Sequence, residues 1–261
     1  MKLLALESST TRCSVALLID GALSFREAEA DARNSEVLLP MVRRLLSDAG
    51  VGVTGLDGIA FGAGPGAFTG LRVACGAAQG LAFGADLPLV AVGTLEILAE
   101  GLHAHRPPVR ASAIEAGTGV SGADAGRQSQ LAMPGRARRV LVGMDARMGE
   151  CYWGEAQHVD ADWILLAGPL LCRPDQVPIP EGLDWEGVGD AFALFGAQLE
   201  ARLGVRYPQE PWGTAQPEAA ALVRLATVRF ARGQTMAPEH AQPVYVRYKV
   251  ALTRQERGVG P

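Results

Sequence analysis

Apolar runs over Leu3 to Leu6 and Cys13 to Ile19 flank the polar stretch Glu7-Ser8-Ser9-Thr10-Thr11, and Asp20-Gly21 then opens a third strand-like run over Ala22 to Ala28. This succession constrains the fold most, because Asp-Gly between two such runs is a tight-hairpin signal. At Asn34-Ser35-Glu36 the period changes. Val37, Leu38, Met41, Val42, Leu45 and Leu46 recur at three- and four-residue spacing and stop before Gly50, predicting an amphipathic helix with a polar N-cap and a glycine stop. Asp57 to Phe61 reads as a strand. The glycine-rich turn Gly62 to Gly70, capped by Thr69, then leads into a helix running to about Ala85. Leu87 to Val92 and Thr94 to Leu102 predict one more strand and helix. A hairpin followed by βα units gives a mixed sheet covered by helices, an α/β domain over residues 1–105.

From Pro107 to Pro134 large apolar side chains almost vanish, and the middle, near 116–134, reads as a flexible segment. Three strand-like runs follow at Arg139 to Met144, Gly149 to Ala156 and Trp163 to Leu171. Helices are expected over Asp190 to Leu203 and Pro217 to Arg232, with Gln242 to Arg257 as an extended tail. The second half, 106–261, thus repeats strands first and helices after, the order of a duplicated two-domain α/β protein.

Composition narrows the setting. With 261 residues, 48% hydrophobic and 20% charged, the chain is of globular type, and its longest uncharged stretches are glycine-rich and shorter than the ~20 apolar residues that cross a bilayer. No membrane attachment is expected. Glu7 interrupts the N-terminal apolar run before it reaches signal-peptide length. Cys13, Cys75, Cys151 and Cys172 form no C-x-x-C pair, so neither a zinc ribbon nor a disulfide framework is expected, and the cytoplasm is the natural compartment. Lys plus Arg total 24 against 28 for Asp plus Glu, a net charge of −4, whereas an autonomous nucleic-acid binder carries a basic excess.

The turns Glu7-Ser8-Ser9-Thr10-Thr11 and Asp145-Ala146-Arg147-Met148-Gly149 occupy corresponding strand-to-strand positions. They resemble the paired phosphate loops of the actin, Hsp70 and sugar-kinase superfold, each ideally Asp-x-Gly-Thr, in degenerate form. Glu7 and Ser9 replace the aspartate and glycine of the first, Thr10 remains, and the second keeps Asp145 but has Arg147 for glycine. A side chain there keeps the backbone from approaching a phosphate. The Gly64 to Gly70 turn has no Lys-Ser/Thr behind it, so it is no Walker loop. Behind it Gly76, Gly80 and Gly84 recur every fourth residue, at ~1 kcal/mol each against alanine. Either the chain's own sheet or a second subunit packs close there, internal packing being the commoner case. His103 and His105 are two apart, and His158 and His240 stand alone, so no metal site is expected. Glu27 and Glu29 read as a solvated strand face. No nucleophile elbow appears, and no cofactor is implied.

Five blocks together carry a resemblance: Leu4-Ala5-Leu6-Glu7-Ser8-Ser9-Thr10 with Cys13 to Leu17; Asn34-Ser35-Glu36-Val37-Leu38-Leu39-Pro40; Gly64-Pro65-Gly66-Ala67-Phe68-Thr69-Gly70-Leu71-Arg72; Asp145 to Tyr152; and Pro243-Val244-Tyr245-Val246-Arg247. They resemble the bacterial TsaB family, non-catalytic relatives of the threonylcarbamoyltransferase TsaD, and span the chain except for Pro107 to Pro134. Asn34 stands where many members have His, and Glu7 replaces the usual first-loop Asp.

The resemblance implies a two-domain fold of the actin/Hsp70/sugar-kinase type. It also implies a role in making N6-threonylcarbamoyladenosine beside the anticodon of tRNAs reading codons that begin with adenine. In that family TsaC forms threonylcarbamoyl-adenylate, TsaD transfers the group to tRNA, TsaB pairs with TsaD as a dimerisation subunit, and TsaE joins as an ATPase. The implied partner surface is the first two helices, here Asn34, Glu36, Val37, Leu38, Met41, Val42, Leu45, Arg72, Cys75, Gly76 and Gly80. A homodimer through the same helices would replace the partner in its absence. Contact with tRNA is expected only through the complex, the basic residues Arg247, Lys249, Arg254 and Arg257 reading as a solvated terminus. An autonomous kinase-like or ATP-hydrolysing enzyme is the alternative, opposed by the degenerate loops. A metallopeptidase is opposed by the lack of paired histidines.

Overall fold

The computed structural model describes residues 1–29, 33–105, 138–182, 185–204 and 214–247. The segment expected to be flexible, and Lys249, Arg254 and Arg257, lie outside them, as do the side chains of His103 and His105.

Two mixed sheets share one plan. In the first, β1 (Lys2–Glu7), β2 (Arg12–Ile19) and β3 (Ala22–Glu29) form an antiparallel meander, and β4 (Gly58–Gly64) and β5 (Leu89–Gly93) add in parallel beyond β1, giving the order β3-β2-β1-β4-β5. In the second, β6 (Arg139–Arg147), β7 (Glu150–Val159) and β8 (Asp162–Cys172) repeat the meander, and β9 (Trp185–Val188) lies parallel to β6 in the order β8-β7-β6-β9. The β2–β3 and β7–β8 hairpins close on left-handed pairs, Asp20 with Gly21 and Asp160 with Ala161, the backbone that a two-residue turn between right-twisted strands requires. The duplicated order expected from the sequence is present.

The helices sort by which strand face they cover. Leu4 and Leu6 of β1 point toward α1 (Asn34–Asp48) and α2 (Phe68–Ala85), while Leu3 and Ala5 point to the opposite cluster with α3 (Thr94–His105) and α6 (Ala219–Ala231). With both faces covered, β1 is buried throughout its apolar run, each leucine contributing about 2 kcal/mol. The cluster around α3 and α6 also takes Val140, Val142 and Met144 of β6 and Trp163 of β8, so these helices lie between the two sheets. Beyond the second sheet, α4 (Ala191–Leu194) and α5 (Gly196–Leu203) cover Leu141 and Trp153. No helix among the described residues is long and apolar enough to cross a membrane.

The differences from expectation are local. β4 runs on to Gly64, three residues past Phe61, so the glycine turn is shorter than the sequence suggested. Thr69 sits inside α2 rather than capping it, and Asn34 is the first residue of α1 rather than its cap. One helix over 190–203 becomes two because the backbone breaks at Phe195, before a glycine that disfavours continuation. β9 carries no expectation at all. Four residues with one aliphatic side chain give no alternation to read, and its partner strand supplies the order.

Arg229 of α6 locks this arrangement. Its guanidinium, mostly buried, donates to Asp162 of β8 at 3.0 Å and to Glu96 of α3 at 2.7 Å. Burial pushes the Glu96 carboxyl up, and Arg229 opposes that rise. Arg229→Met leaves Glu96 without its cation and Asp162 with Arg232 alone, at 3.5 Å, and is expected to destabilise the protein by about 3–5 kcal/mol, read as a lower urea midpoint at constant slope.

Candidate functional site

Two surfaces gather the residues singled out from the sequence: the cleft between the sheets and the outer face of α1 and α2. The cleft, about 480 Å³, is lined by both strand-to-strand turns, the start of α2 and the segment Val244 to Arg247. Its volume suits a small ligand. Its chemistry does not follow from that volume, because much of the polar lining of both turns is already engaged within the chain.

Glu7 is fully buried and turned away from the cleft, toward β4. Its Oε1 accepts the Ser9 N–H at 2.6 Å, and its Oε2, without a hydrogen-bond partner, fills the space where a side chain on Gly62 would stand. Burial pushes its carboxyl up further than the hydrogen bonds from Ser9 and Ser8 pull it down. A buried, inward carboxyl whose charged form is penalised by desolvation is a poor ligand for a cation. The rest of the first turn packs onto the helix. The Ser9 carbonyl accepts the Ala67 N–H at 2.7 Å, and Ser8 Oγ donates to the Gly70 carbonyl at 2.8 Å. A Cβ on Gly66 or Gly70 would lie 2.5 Å and 1.8 Å from the carbonyl oxygens of Ser9 and Ser8. Glycine is needed here for close backbone approach, and the approaching backbone is the protein's own.

The second turn is closed differently. Arg147 adopts φ +64, the left-handed backbone that glycine would take most easily, and its exposed side chain returns to Asp145 at 3.1 Å. Asp145 Oδ1 accepts the Arg147 N–H, and the Asp145 N–H donates to Asp190 at 2.7 Å. Arg247 then reaches across. It donates to the Ala146 carbonyl at 3.1 Å and pairs with Glu150 at 2.5 Å, so it is held in place and is not part of a solvated terminus. Glu27 and Glu29 are exposed on β3 beside Arg12, as a solvated face requires. Among the described residues no cluster of three or more His, Cys, Asp or Glu could hold a metal.

On the other surface the structure divides the eleven residues expected to meet a partner. Leu38, Val42 and Leu45 of α1 and Cys75 of α2 are buried against the chain's own sheet, and Asn34 turns inward to donate to the Ser8 carbonyl at 3.3 Å. These five hold the helices on the fold and are not available to another chain. Their three- and four-residue spacing marks the inner stripe. Glu36, Arg72, Gly76 and Gly80 are exposed, and Val37 and Met41 are half-buried. A Cβ added at Gly76, Gly80 or Gly84 would meet nothing within 4 Å, so internal packing does not explain these glycines. Two large apolar side chains missed from the sequence are also exposed on these helices: Leu39, 48% exposed, and Phe83, 76% exposed. Their signal was that each is a large apolar side chain lying off its helix's inner stripe. Arg72 borders this surface with its guanidinium 3.8 Å from the Phe68 ring centre and its Nε donating to Tyr245 at 2.9 Å.

Comparison with known proteins places this geometry. The family model described as TsaD, tRNA N6-adenosine threonylcarbamoyltransferase, matches residues 28–121. The chain is 33% identical to the tRNA threonylcarbamoyladenosine biosynthesis protein TsaB of Escherichia coli (strain K12), over 96% of each protein. It is 30% identical to the protein of the same name from Haemophilus influenzae, over 96% of this chain and 95% of that one. Among solved structures, YeaZ from Pseudomonas aeruginosa superposes with a TM-score of 0.72 at 36% identity, over 94% of this chain and 99% of that one.

The buried Glu7 has a signature in pH. A carboxyl raised in the folded state favours folding below the unfolded value of 4.5, and that contribution is lost as pH rises toward the folded value. Glu7→Gln, always neutral, is expected to match the wild type in acid and to be the more stable protein at neutral pH, by about 1.4 kcal/mol for each pKa unit of elevation. Urea midpoints on either side of the carboxylate range check this; an equal difference at both pH values contradicts it.

Proposed function

The chain belongs to the TsaB family of tRNA threonylcarbamoyladenosine biosynthesis proteins, and from that membership we propose that it is the accessory, non-catalytic subunit that holds TsaD through the outer face of α1 and α2. TsaE joins this pair, TsaC supplies the threonylcarbamoyl-adenylate, and tRNA meets the protein only through the complex. The observation that carries the reading is the ridge of Gly76, Gly80 and Gly84, open to solvent on α2 and flanked by exposed Phe83. Each glycine costs a helix ~1 kcal/mol against alanine. Nothing among the described residues recovers that cost, whereas a second helix seated on the ridge does, by approaching closely. The cleft supports the non-catalytic half of the reading, since its first turn packs onto the start of α2 and its second is held by Asp190 and Arg247, where a kinase's would bind phosphate. In the absence of TsaD the same ridge would seat a second copy of this chain.

Substitution at the ridge separates folding from binding. Gly80→Ala is expected to raise stability by up to about 1 kcal/mol, and Gly80→Leu to leave thermal unfolding close to wild type, because both side chains point into open space. Gly80→Leu should nevertheless weaken TsaD binding at least about tenfold, or 1.4 kcal/mol. It should lower threonylcarbamoyladenosine formation in a mixture of TsaC, TsaD, TsaE, threonine, bicarbonate, ATP and tRNA. Full affinity with Gly80→Leu sinks the interface, and modification that proceeds equally well without this chain sinks the accessory role.

A further inference from the structure

The four cysteines are far apart in sequence, yet two of them meet. Cys151 in β7 and Cys172 at the end of β8 stand directly opposite each other in the antiparallel ladder. Residues so opposed share a face of the sheet, with Cα atoms about 4.5 Å apart in a non-hydrogen-bonded pair and about 5.5 Å in a hydrogen-bonded one. Both separations fall within the roughly 4.4–6.8 Å that a disulfide spans. The register therefore brings the two sulfurs within reach of one another. Cys151 Sγ already lies 3.5 Å from the Cys172 carbonyl oxygen.

The two thiols are unequal in a way that assigns their roles. Cys151 is fully buried, in the cluster with Trp153, Phe192 and Leu199. Cys172 is only partly buried, and β8 is the edge strand of its sheet, so a dissolved reagent can reach Cys172 but not Cys151. Hydrogen bonding between the thiols holds Cys172 below the ordinary thiol value, while that bond first and burial second push Cys151 up. The exposed sulfur is thus the better nucleophile and the buried one waits behind it. Neither remaining cysteine has such a neighbour: Cys13 faces Ala28 across the ladder, and Cys75 lies in a helix.

We propose that Cys172 is a site of reversible modification by a low-molecular-weight disulfide of the glutathione type, and that Cys151 resolves the adduct into an intrachain Cys151–Cys172 disulfide. In the first step the Cys172 thiolate attacks one sulfur of the small disulfide, a protein–small-molecule S–S bond forms, and one small thiolate leaves and takes up a proton. In the second, Cys151 attacks Cys172 Sγ as its proton passes to the departing small thiolate, which leaves as the second small thiol. Two protein thiols are oxidised and one small disulfide is reduced to two thiols. The bond fastens β7 to β8 beside Glu150, the carboxylate that holds Arg247 at the cleft.

The test uses the full chain and oxidised glutathione, with free thiols alkylated under denaturing conditions and the peptides read by mass spectrometry. The Cys151 and Cys172 peptides are expected to lose alkylation together and to appear as one linked species that dithiothreitol reverses. Cys13, pushed up to about 12 by burial and by Glu7, and Cys75, raised by burial, should stay alkylated as internal references. In Cys151→Ala the reaction should stop at a glutathione adduct on Cys172. Two wild-type results overturn the proposal: alkylation of Cys151 and Cys172 equal to that of the reference thiols, or a lasting adduct on Cys172 with Cys151 still alkylated.

Discussion

The turn after β1 rests directly on the start of α2, backbone against backbone, and much of the molecule follows from that contact. The carbonyls of Ser8 and Ser9 occupy the space that side chains at positions 66 and 70 would need, and one of them takes the Ala67 N–H. The first turn of a helix presents unsatisfied N–H groups and a positive dipole end, the usual attraction for a phosphate. Here a peptide carbonyl has taken that place. The contact fixes where α2 leaves the sheet, and therefore which of its faces turns outward.

The second sheet repeats the plan with different chemistry. Arg147 tolerates a left-handed backbone because its side chain is free to return to Asp145, and Arg247 satisfies the turn's carbonyls from the opposite wall. The cleft is bounded by turns that the chain's own groups hold, although Ser9 Oγ and Asn34 Oδ1 on its wall have no hydrogen-bond partner among the described residues. An open apolar surface also lies outside it, at Phe83 on α2.

How much of this was legible depended on period and local chemistry. The meanders, their Asp20-Gly21 turn and the amphipathic stripe of α1 were readable because alternation and three- and four-residue spacing report burial directly. The same spacing does not say what the stripe faces. Spacing tells that Leu38, Val42 and Leu45 face something apolar, and that something is their own sheet. The glycine ridge was visible as a pattern but not as a direction, because glycine has no side chain whose burial could be inferred. Nor did the sequence bring Cys151 to Cys172 or Arg247 to Glu150, since both meetings depend on strand register and on a late segment returning to the cleft.

That return has a counterpart in α6, which spans residues 219 to 231 yet lies against β1, near the start of the chain. On a ribosome the first sheet emerges with its inner face bare. α3 covers this face only toward β4 and β5, so Leu3 and Ala5 of β1 wait for α6, and the sheet cannot finish its core by local folding alone. The nascent protein thus carries an incompletely shielded apolar surface until residue 231 has been made, a demand on the cell's holding factors written into the order of its elements.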